Sequence, residues 1–387
     1  MFDTEYFDAG LYRMGTDCEK WDGCRHREGA GALPMWVADM DFPSPPAVQE
    51  ALLRRAAHPT WGYTEVTDRD LDAVRDFWRR RHDLSVEREA VTVLPCVVTG
   101  LKLAILTFTR PGEGVIIQSP VYGPFRMSVE ATGRKLMDAP LVADDGGRYS
   151  MDLEAVENQC RAGARLMMLC SPHNPVSRVW TREELQALLE VLNRYGVPLV
   201  SDEIHADFVY APARFVSVLS LQQRNVITLC AASKTFNVAG LQTAFMFCTE
   251  AENRERFRGV MNSGGVVAGN IFGILASRAA FEEGEPWLDG LLAYLDGNRK
   301  ELADQVAREL PGAVLTPVEA TYLAWLDLRA WGFSCEELAR RTSAAGVVFT
   351  GGTFFGDVGE GFLRVNIACP CRNIGEAVRR LKKALEG

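Results

Sequence analysis

The sequence predicts an α/β protein built on a mainly parallel β-sheet, and two patterns support this fold class. From about residue 90 to residue 250, short apolar runs alternate with helical stretches, as expected of an α/β domain. The apolar runs are continuous rather than alternating, which is typical of strands buried on both faces of a parallel sheet. The predicted strands are residues 114–118, 165–170, 198–201 and 225–229.

Two helices are predicted within this region. The first begins with the apolar run Val97-Val98-Thr99-Gly100-Leu101. The second covers residues 181–189 and opens at Thr181, with Glu184 three residues further on. A threonine followed at this spacing by a glutamate is a capping box, in which each side chain satisfies a free backbone N–H of the first turn.

The C-terminal third has a different pattern, with one long amphipathic stretch and isolated apolar runs. The expected elements are a helix at 286–310, strands at 321–327 and 362–367, and helices near 335–345 and 373–385. We therefore expect a smaller α/β domain here. The expected division is an N-terminal segment that packs with the small domain (residues 1–45), a large domain (46–285) and a small C-terminal domain (286–387).

Composition argues against several functional classes. The 387 residues are 47% hydrophobic and 24% charged, which is typical of a globular protein. A net charge of -9 argues against nucleic-acid binding, which favours a basic face. No apolar run is long enough to span a membrane, and the acidic N-terminus lacks signal-peptide features. The protein is therefore predicted to be cytoplasmic, with its ten cysteines reduced and no metal site among its five scattered histidines.

Lys234 carries the central chemical signal. It lies in Ser233-Lys234-Thr235-Phe236-Asn237, directly after a predicted strand, and is expected in the loop at the strand's carboxyl end. Ligands of open α/β sheets bind at that edge. A lysine there can form an imine with an aldehyde if its pocket lowers its pKa. Most lysines are surface cations, so this signal is modest by itself.

Asp202 is the second candidate. It lies in Ser201-Asp202-Glu203-Ile204-His205, again at the end of an apolar strand. A carboxylate buried there needs a cationic partner. A protonated pyridine nitrogen fits that role, and the cationic ring would then accept electrons from a substrate Cα. A helix cap or a core ion pair would be the favoured explanation if Asp202 stood alone.

Three further signals are expected at the same edge of the sheet. Asn174, in Ser171-Pro172-His173-Asn174-Pro175, could donate its amide to a ring oxygen, although Asn-Pro is also a common turn. Tyr122 follows a strand, where its face could stack on a ring. The N–H groups at Val97 and Val98 open a helix and could hold a phosphate. Together the five signals favour one cofactor site.

The chain resembles the fold type I aminotransferase superfamily of pyridoxal-5′-phosphate (PLP) enzymes, and within it the cystathionine β-lyase (cysteine C–S lyase) branch. The resemblance covers nearly the whole chain. The strings that carry it are Lys20-Trp21-Asp22, Pro34-Met35-Trp36-Val37-Ala38-Asp39-Met40-Asp41-Phe42, Trp61-Gly62-Tyr63, Ser171-Pro172-His173-Asn174-Pro175, Asp202-Glu203-Ile204-His205-Ala206-Asp207, Ser233-Lys234-Thr235-Phe236-Asn237, Gly297-Asn298 and Arg364-Val365-Asn366-Ile367-Ala368-Cys369-Pro370.

The resemblance implies a large domain with a mainly parallel seven-stranded sheet, PLP bound covalently to Lys234, and Asp202 paired with the pyridine nitrogen. The other implied cofactor contacts are Tyr122 on the ring face, Asn174 on the ring oxygen, His205 near that oxygen, and Val97, Val98 and Ser233 on the phosphate.

The resemblance also implies a homodimer and a substrate site. Tyr63 matches the tyrosine that reaches the phosphate from the neighbouring subunit. Arg364 matches the arginine that binds the substrate α-carboxylate, a bidentate task that suits a guanidinium. Val37 and Ala38 complete the implied substrate-binding set, and the implied partner is a small-molecule amino-acid substrate.

Five positions depart from the patterns of the relatives. Ala231 and Gln242 stand where many aminotransferases have a serine and a phosphate-binding arginine. Within the lyase branch, Cys96 and Ser177 replace glycines, and Cys371 replaces an arginine. None of them is one of the residues expected to carry the core chemistry.

The leading functional hypothesis is α,β-elimination from L-cystathionine or a related L-cysteine S-conjugate, which gives pyruvate, ammonia and a thiol (homocysteine from cystathionine). Transamination shares the early steps and is the alternative within enzymes. The sequence offers no obvious second arginine for a side-chain carboxylate, which argues against a dicarboxylate aminotransferase. A PLP-binding regulatory protein is the alternative from another class.

Overall fold

The computed structural model describes residues 2–29, 31–266 and 269–387. Its strands are β1 (Leu33–Pro34), β2 (Val91–Leu94), β3 (Gly114–Ile117), β4 (Lys135–Asp138), β5 (Val142–Ala143), β6 (Tyr149–Ser150), β7 (Ala164–Cys170), β8 (Leu199–Asp202), β9 (Val226–Cys230), β10 (Ala244–Phe247), β11 (Val314–Leu315), β12 (Leu323–Asp327), β13 (Val347–Val348), β14 (Thr350–Gly351) and β15 (Phe362–Asn366). Its α-helices are α1 (Thr4–Asp8), α2 (Cys24–Glu28), α3 (Pro46–Ala56), α4 (Asp68–His82), α5 (Val97–Phe108), α6 (Pro124–Ala131), α7 (Leu153–Arg161), α8 (Arg182–Tyr195), α9 (Val218–Leu221), α10 (Ala232–Thr235), α11 (Ala251–Ser263), α12 (Ile271–Glu283), α13 (Glu285–Glu309), α14 (Cys335–Ala344) and α15 (Cys371–Glu386).

Among the described residues, seven strands form the main sheet in the order β2-β10-β9-β8-β7-β3-β4. The pairs from β9 through β4 are parallel, and β10 is antiparallel to both of its neighbours. The strands from β7 to β9 are buried almost throughout, as their continuous apolar sequences require. The predicted α/β fold with a mainly parallel seven-stranded sheet is confirmed.

The register of the sheet fixes where the chemical motifs meet. Cys170 on β7 pairs with Asp202 on β8, and Asp202 pairs with Leu229 on β9. Because parallel strands end at a common edge, the segments that follow these three strands come together there. The predicted sites around Asn174, Asp202 and Lys234 therefore lie on neighbouring connections, although they are far apart in the chain.

The predicted local signals are found with small shifts of boundary. Helix α8 has the expected capping box: Thr181 Oγ1 accepts from the Glu184 backbone N–H at 3.2 Å, and Glu184 Oε2 accepts from the Thr181 N–H at 2.8 Å. Lys234 was expected in a loop but lies in the four-residue helix α10, which starts at once after β9. That single turn keeps Lys234 at the sheet edge.

The C-terminal part forms a second sheet in the order β11-β12-β15-β14, in which all pairs are antiparallel. Helix α13 precedes this sheet, and α14 and α15 surround it, as predicted. Strand β1 pairs in parallel with β13, with Leu33 opposite Val347, so the N-terminal segment contacts the C-terminal part. The division at residues 45 and 285 stays a prediction. No helix in the described ranges is long and apolar enough to cross a membrane.

Two asparagines hold the segment from Trp36 to Phe42 in place. Asn237 accepts from the Met40 N–H at 3.0 Å and donates to the carbonyls of Met40 at 3.0 Å and Phe42 at 2.8 Å. Asn366 donates to the carbonyls of Val37 at 2.5 Å and Asp39 at 2.7 Å. The segment has no β-ladder of its own here, so side-chain amides satisfy its backbone groups.

A buried ion cluster secures the same segment from the other side. Lys20, which is fully buried, donates to Asp41 at 3.0 Å, and Arg13 donates to Asp39 at 2.7 Å and to Asp41 at 2.9 Å. The Trp21 indole N–H also donates to Asp41, at 2.8 Å. Buried charges are tolerated only when they are paired and hydrogen-bonded, and every charge in this cluster has a partner.

Replacement of Asn237 by alanine is expected to destabilise the fold by about 2–4 kcal/mol, because it leaves the Met40 N–H and the Phe42 carbonyl without partners, while the Met40 carbonyl keeps its bond from Arg13. Urea denaturation of Asn237→Ala measures this loss. Asn193→Ala is the control, since the exposed side chain of Asn193 bonds, among the described residues, only to Gln222. Its loss should cost less than about 0.5 kcal/mol. Equal losses for the two variants would contradict the role of Asn237.

Candidate active site

A cavity of about 170 Å³ lies at the carboxyl edge of the main sheet. It is lined by predicted site residues from six separate segments of the chain. These residues are Ala38, Val97, Val98, Tyr122, Asn174, Asp202, His205, Ser233 and Lys234. These residues therefore lie together at the sheet edge where the sequence predicted them.

Lys234 lies on the wall of the cavity. Its amine Nζ donates to the backbone carbonyl of Ala38 at 2.6 Å. Burial lowers the pKa of the amine to about 8, a shift that the carboxylate of Asp39 partly opposes. An amine with this pKa is uncharged in a sizeable fraction of molecules near neutral pH, so it can act as a nucleophile or a base.

Asp202 lies at the end of β8 and is buried. Its Oδ1 accepts from the Ile204 N–H at 3.1 Å, and it forms no ion pair with any described residue. Burial raises the pKa of its carboxyl group to about 7. A carboxylate in this position would be stabilised by a cation placed in the cavity.

Arg364, on β15, is in direct contact with Asn174. Its Nη1 donates to Asn174 Oδ1 at 3.2 Å, and its Nη2 donates to the Trp36 carbonyl at 2.9 Å. Asn174 lines the cavity, and its Oδ1 is the acceptor in this bond. The side-chain NH₂ group is therefore the part of the amide that can donate to a ligand. Burial lowers the pKa of Arg364 to about 10, and its Nε has no partner among the described residues. The guanidinium is thus placed to receive an anion.

Tyr122 and His205 complete the walls around this point. Tyr122 is half-buried, its N–H donates to the Asn174 carbonyl at 3.1 Å, and its ring meets Phe354 edge-on at 6.0 Å. His205 is buried, and burial lowers its pKa to about 3. It is therefore neutral, and its Nδ1 has no partner within the described ranges.

The N-terminus of α5 forms the far end of the cavity. Cys96 caps this helix, with its Sγ accepting from the Thr99 N–H at 3.5 Å. Val97 and Val98 follow, and Ser233 lies on the same cavity wall. Free N–H groups at a helix N-terminus form an anion site. Gln242 also lines this cavity, where many aminotransferases have an arginine.

Three predicted residues are not among those that line the cavity: Arg364, which reaches Asn174 from β15, and Tyr63 and Val37. Tyr63 is fully exposed, so a single chain does not test its predicted role across a dimer interface. Val37 contributes its backbone carbonyl to Asn366, and only its neighbour Ala38 reaches the cavity.

Sequence reasoning missed several residues of the site. Thr243 lines the cavity with a buried hydroxyl that has no partner in the described chain, and Cys170 and Ile204 line it beside the predicted motifs. Tyr322 was also missed: its hydroxyl donates to the Ala38 carbonyl at 3.0 Å. The positions of Cys170 and Ile204, next to motif residues at strand ends, could have indicated them. Tyr322 lies within the predicted strand 321–327 and gives no signal of its own.

The departure at Ser177 has a structural explanation. Its φ of 54° lies in the left-handed region, where glycine has no steric cost, which accounts for the glycine usual in the lyase branch. Here the Ser177 hydroxyl donates to the Leu323 carbonyl at 2.5 Å, so a buried hydrogen bond offsets part of the strain.

The comparison with known proteins agrees with this geometry. A family model described as "Aminotransferase class I and II" matches residues 34–381. Cystathionine beta-lyase PatB from Bacillus subtilis (strain 168) is 40% identical over 385 residues, which cover 98% of this chain and 99% of that protein.

Two solved structures are similar over nearly their whole length. Cystalysin from Treponema denticola, which contains a pyridoxal 5′-phosphate cofactor, has a TM-score of 0.94 and 31% identity, and the match covers 97% of this chain and 98% of that one. The PLP-bound C-S lyase from Staphylococcus hominis has a TM-score of 0.90 and 30% identity, with 98% of each chain covered. The chain therefore belongs to the aminotransferase class I and II family.

Proposed function

We propose that this protein is a PLP-dependent carbon–sulfur lyase that cleaves L-cystathionine or related L-cysteine S-conjugates to pyruvate, ammonia and a thiol. The observation that carries the proposal is that Asp202 and Lys234 line the same cavity. Asp202 is a buried carboxylate that a cation would stabilise, and Lys234 is an amine with a lowered pKa. The names of PatB and of the Staphylococcus hominis lyase support the choice of C–S cleavage.

The residues of the cavity fit PLP. Asp202 would pair with the protonated pyridine nitrogen, which supplies the cation that its burial requires. Tyr122 would stack on the ring, and the amide of Asn174, whose oxygen is held by Arg364, would donate to the ring oxygen near His205. The N–H groups of Val97 and Val98 and the hydroxyl of Ser233 would bind the phosphate.

When bound, PLP supplies an electron sink for negative charge that develops at the substrate Cα. Arg364 binds the α-carboxylate through its guanidinium, which orients the Cα–H bond toward the cavity. Lys234 takes the Cα proton, because its lowered pKa leaves a fraction of the amine uncharged near neutral pH. His205 stays neutral and so adds no positive charge beside Arg364.

Among the described residues that line the cavity, none supplies a side-chain cation at the phosphate end, where Gln242 stands in place of a common arginine. We place Tyr63 of a second subunit there, so the active unit is a homodimer. The complete exposure of Tyr63 in a single chain agrees with a residue that serves a neighbouring subunit. The three-part division at residues 45 and 285 and a cytoplasmic location belong to the same proposal.

The decisive assay supplies L-cystathionine to the purified, PLP-loaded protein with no keto acid present. Sustained release of pyruvate and thiol in equal amounts is expected, because elimination needs no amino acceptor. If products form only after a keto acid is added, together with a new amino acid, the protein is an aminotransferase. If PLP binds and neither reaction occurs, a regulatory role is favoured.

Replacement of Lys234 by alanine is expected to abolish the yellow colour of the bound cofactor and to lower elimination by at least about 10²–10⁴-fold, since the covalent link and the proton acceptor are lost together. Absorbance spectra and pyruvate release measure the two effects. Lys102→Ala is the control, because Lys102 is an exposed residue of α5. Retention of either property in Lys234→Ala would move the role to another residue.

Asp202 should contribute a loss of stability to the cofactor-free protein as the pH rises from about 4 to about 7. Asp202 has a pKa raised from 3.8 to about 7 in the fold, so the folded state keeps a proton that the unfolded state has already lost, and ionisation then favours unfolding. Asp202→Asn should flatten this part of the stability curve, measured by thermal denaturation against pH.

Glu203 complicates this measurement, because burial also raises its pKa to about 7. Glu203→Gln should therefore remove a second share of the slope. Buried His173 and His205, whose pKa values burial lowers to about 4 and about 3, contribute a slope of opposite sign that both variants retain. PLP should reduce the slope in the unmodified protein by supplying a cation for Asp202. An identical slope with and without PLP would argue against the pairing of Asp202 with the cofactor.

A further inference from the structure

The carbonyl of Ala38 accepts two hydrogen bonds at the centre of the site. Lys234 Nζ donates to it at 2.6 Å and the Tyr322 hydroxyl donates to it at 3.0 Å. Within the described residues, this carbonyl is the only hydrogen-bond acceptor of the Lys234 amine. A carbonyl oxygen has two lone pairs, and both of them are used here.

The carbonyl of Ala38 has little freedom to turn away. Asn366 binds the carbonyls on either side of it, those of Val37 and Asp39. Asp39 is also held by Arg13 through its side chain. A change at Tyr322 should therefore alter how the carbonyl is shared between its two donors more than where it points.

Tyr322 is itself held firmly. It is fully buried, and its ring packs edge-on against Phe208 at 4.9 Å and His205 at 6.0 Å. The preceding residue, Thr321, has a φ of 63°, a conformation that is costly for a β-branched residue. Hydrogen bonds keep Thr321 there: its N–H donates to the Phe208 carbonyl at 2.8 Å, and its carbonyl accepts from the Tyr210 hydroxyl at 2.8 Å. Backbone strain of this kind persists only where surrounding contacts hold the residue in place. Here the strained conformation of Thr321 directs the Tyr322 hydroxyl toward the Ala38 carbonyl.

We propose that Tyr322 is a positioning residue for Lys234, and that its hydroxyl, by sharing the Ala38 carbonyl, weakens the hold of that carbonyl on the free lysine amine. Two donors on one oxygen draw on the same negative charge, so each bond weakens the other. The charged ammonium form gains most from a strong acceptor. Sharing therefore keeps the amine available for proton transfer. The proposal rests on the proposed function, in which Lys234 acts as the base.

The charged and titratable groups that face the amine come from several elements. They are Asp39 of the N-terminal segment, Asp202 of β8, His205 after β8 and Arg364 of β15. Asp39 and Asp202 raise the pKa of Lys234, and Arg364 lowers it. All of them are retained in a Tyr322→Phe variant, which removes only the hydroxyl and keeps the ring packed on Phe208.

The test measures the pKa of the Lys234 amine in cofactor-free protein, from the pH dependence of its arylation by 1-fluoro-2,4-dinitrobenzene, with the labelled peptide quantified by mass spectrometry. Tyr322→Phe is expected to raise this pKa by about 0.5 or more, the equivalent of a modest change in one hydrogen bond. In the PLP-loaded enzyme, Lys234 is a free amine only after the substrate has bound, so the acidic limb of the kcat profile should move to higher pH in the same direction.

Tyr149→Phe is the matched control. Tyr149 is also buried and its hydroxyl accepts from the Trp325 indole at 3.2 Å, but it does not contact Ala38. Its loss should lower stability without changing the pKa of Lys234. An unchanged or lowered pKa in Tyr322→Phe would overturn the proposal.

A second variant keeps the test open if Tyr322→Phe fails to fold. Incorporation of 3-fluorotyrosine at position 322 makes the hydroxyl a stronger donor and should lower the pKa of the amine, and an unchanged or raised value would overturn the proposal. Because arylation is measured without PLP, it gives a result even if the protein proves to have no lyase activity. Failure of the positioning role and failure of the proposed function are therefore distinguishable.

Discussion

The site depends on the way the segment from Trp36 to Phe42 is held against the edge of the main sheet. This segment carries the carbonyl of Ala38 to the amine of Lys234, and it has no strand partners at that point. Its backbone is satisfied instead by Asn237, from the lysine motif, and by Asn366, from the C-terminal sheet. If either clamp were absent, buried backbone groups would lose their partners and the carbonyl would lose its fixed position.

The same arrangement explains why charged groups in the site have unusual pKa values. Burial raises the pKa of Asp202 and lowers those of Lys234 and Arg364. Each shift reflects the cost of burying the charged form of the group. A ligand that brings both a cationic ring and anionic groups would relieve all three costs together. The free-energy cost of burying these charged groups would therefore be offset when such a ligand binds.

The sequence predicted the fold class and the core of the site because those features have local signals. Continuous apolar runs identified β3, β7, β8 and β9, and the residues at their carboxyl ends had to meet once the strands were parallel. The family resemblance then selected Arg364, which lies far along the chain and gives no local signal by itself. The structure places it against Asn174, at 3.2 Å.

What could not be predicted depends on contacts between distant segments. Lys234 and Tyr322 share the Ala38 carbonyl, although they lie 196 and 284 positions after Ala38 in the chain. No sequence periodicity predicts such a contact. The left-handed backbone conformation of Thr321 could not be predicted from the sequence either, because threonine rarely adopts that conformation. Tyr63 marks a third limit, since its predicted partner lies in another subunit.

The wide separation of these residues along the chain also bears on how the site forms. Lys234 and Asp202 belong to the central sheet, but the groups that fix Ala38 come from the N-terminal segment and from residues after 320. The lysine can therefore acquire its hydrogen-bond partner only after both ends of the chain have packed on the sheet. The complete site therefore needs both ends of the chain in place: the N-terminal segment supplies the acceptor, and Tyr322 and Asn366 supply the groups that bond to it and to its neighbours.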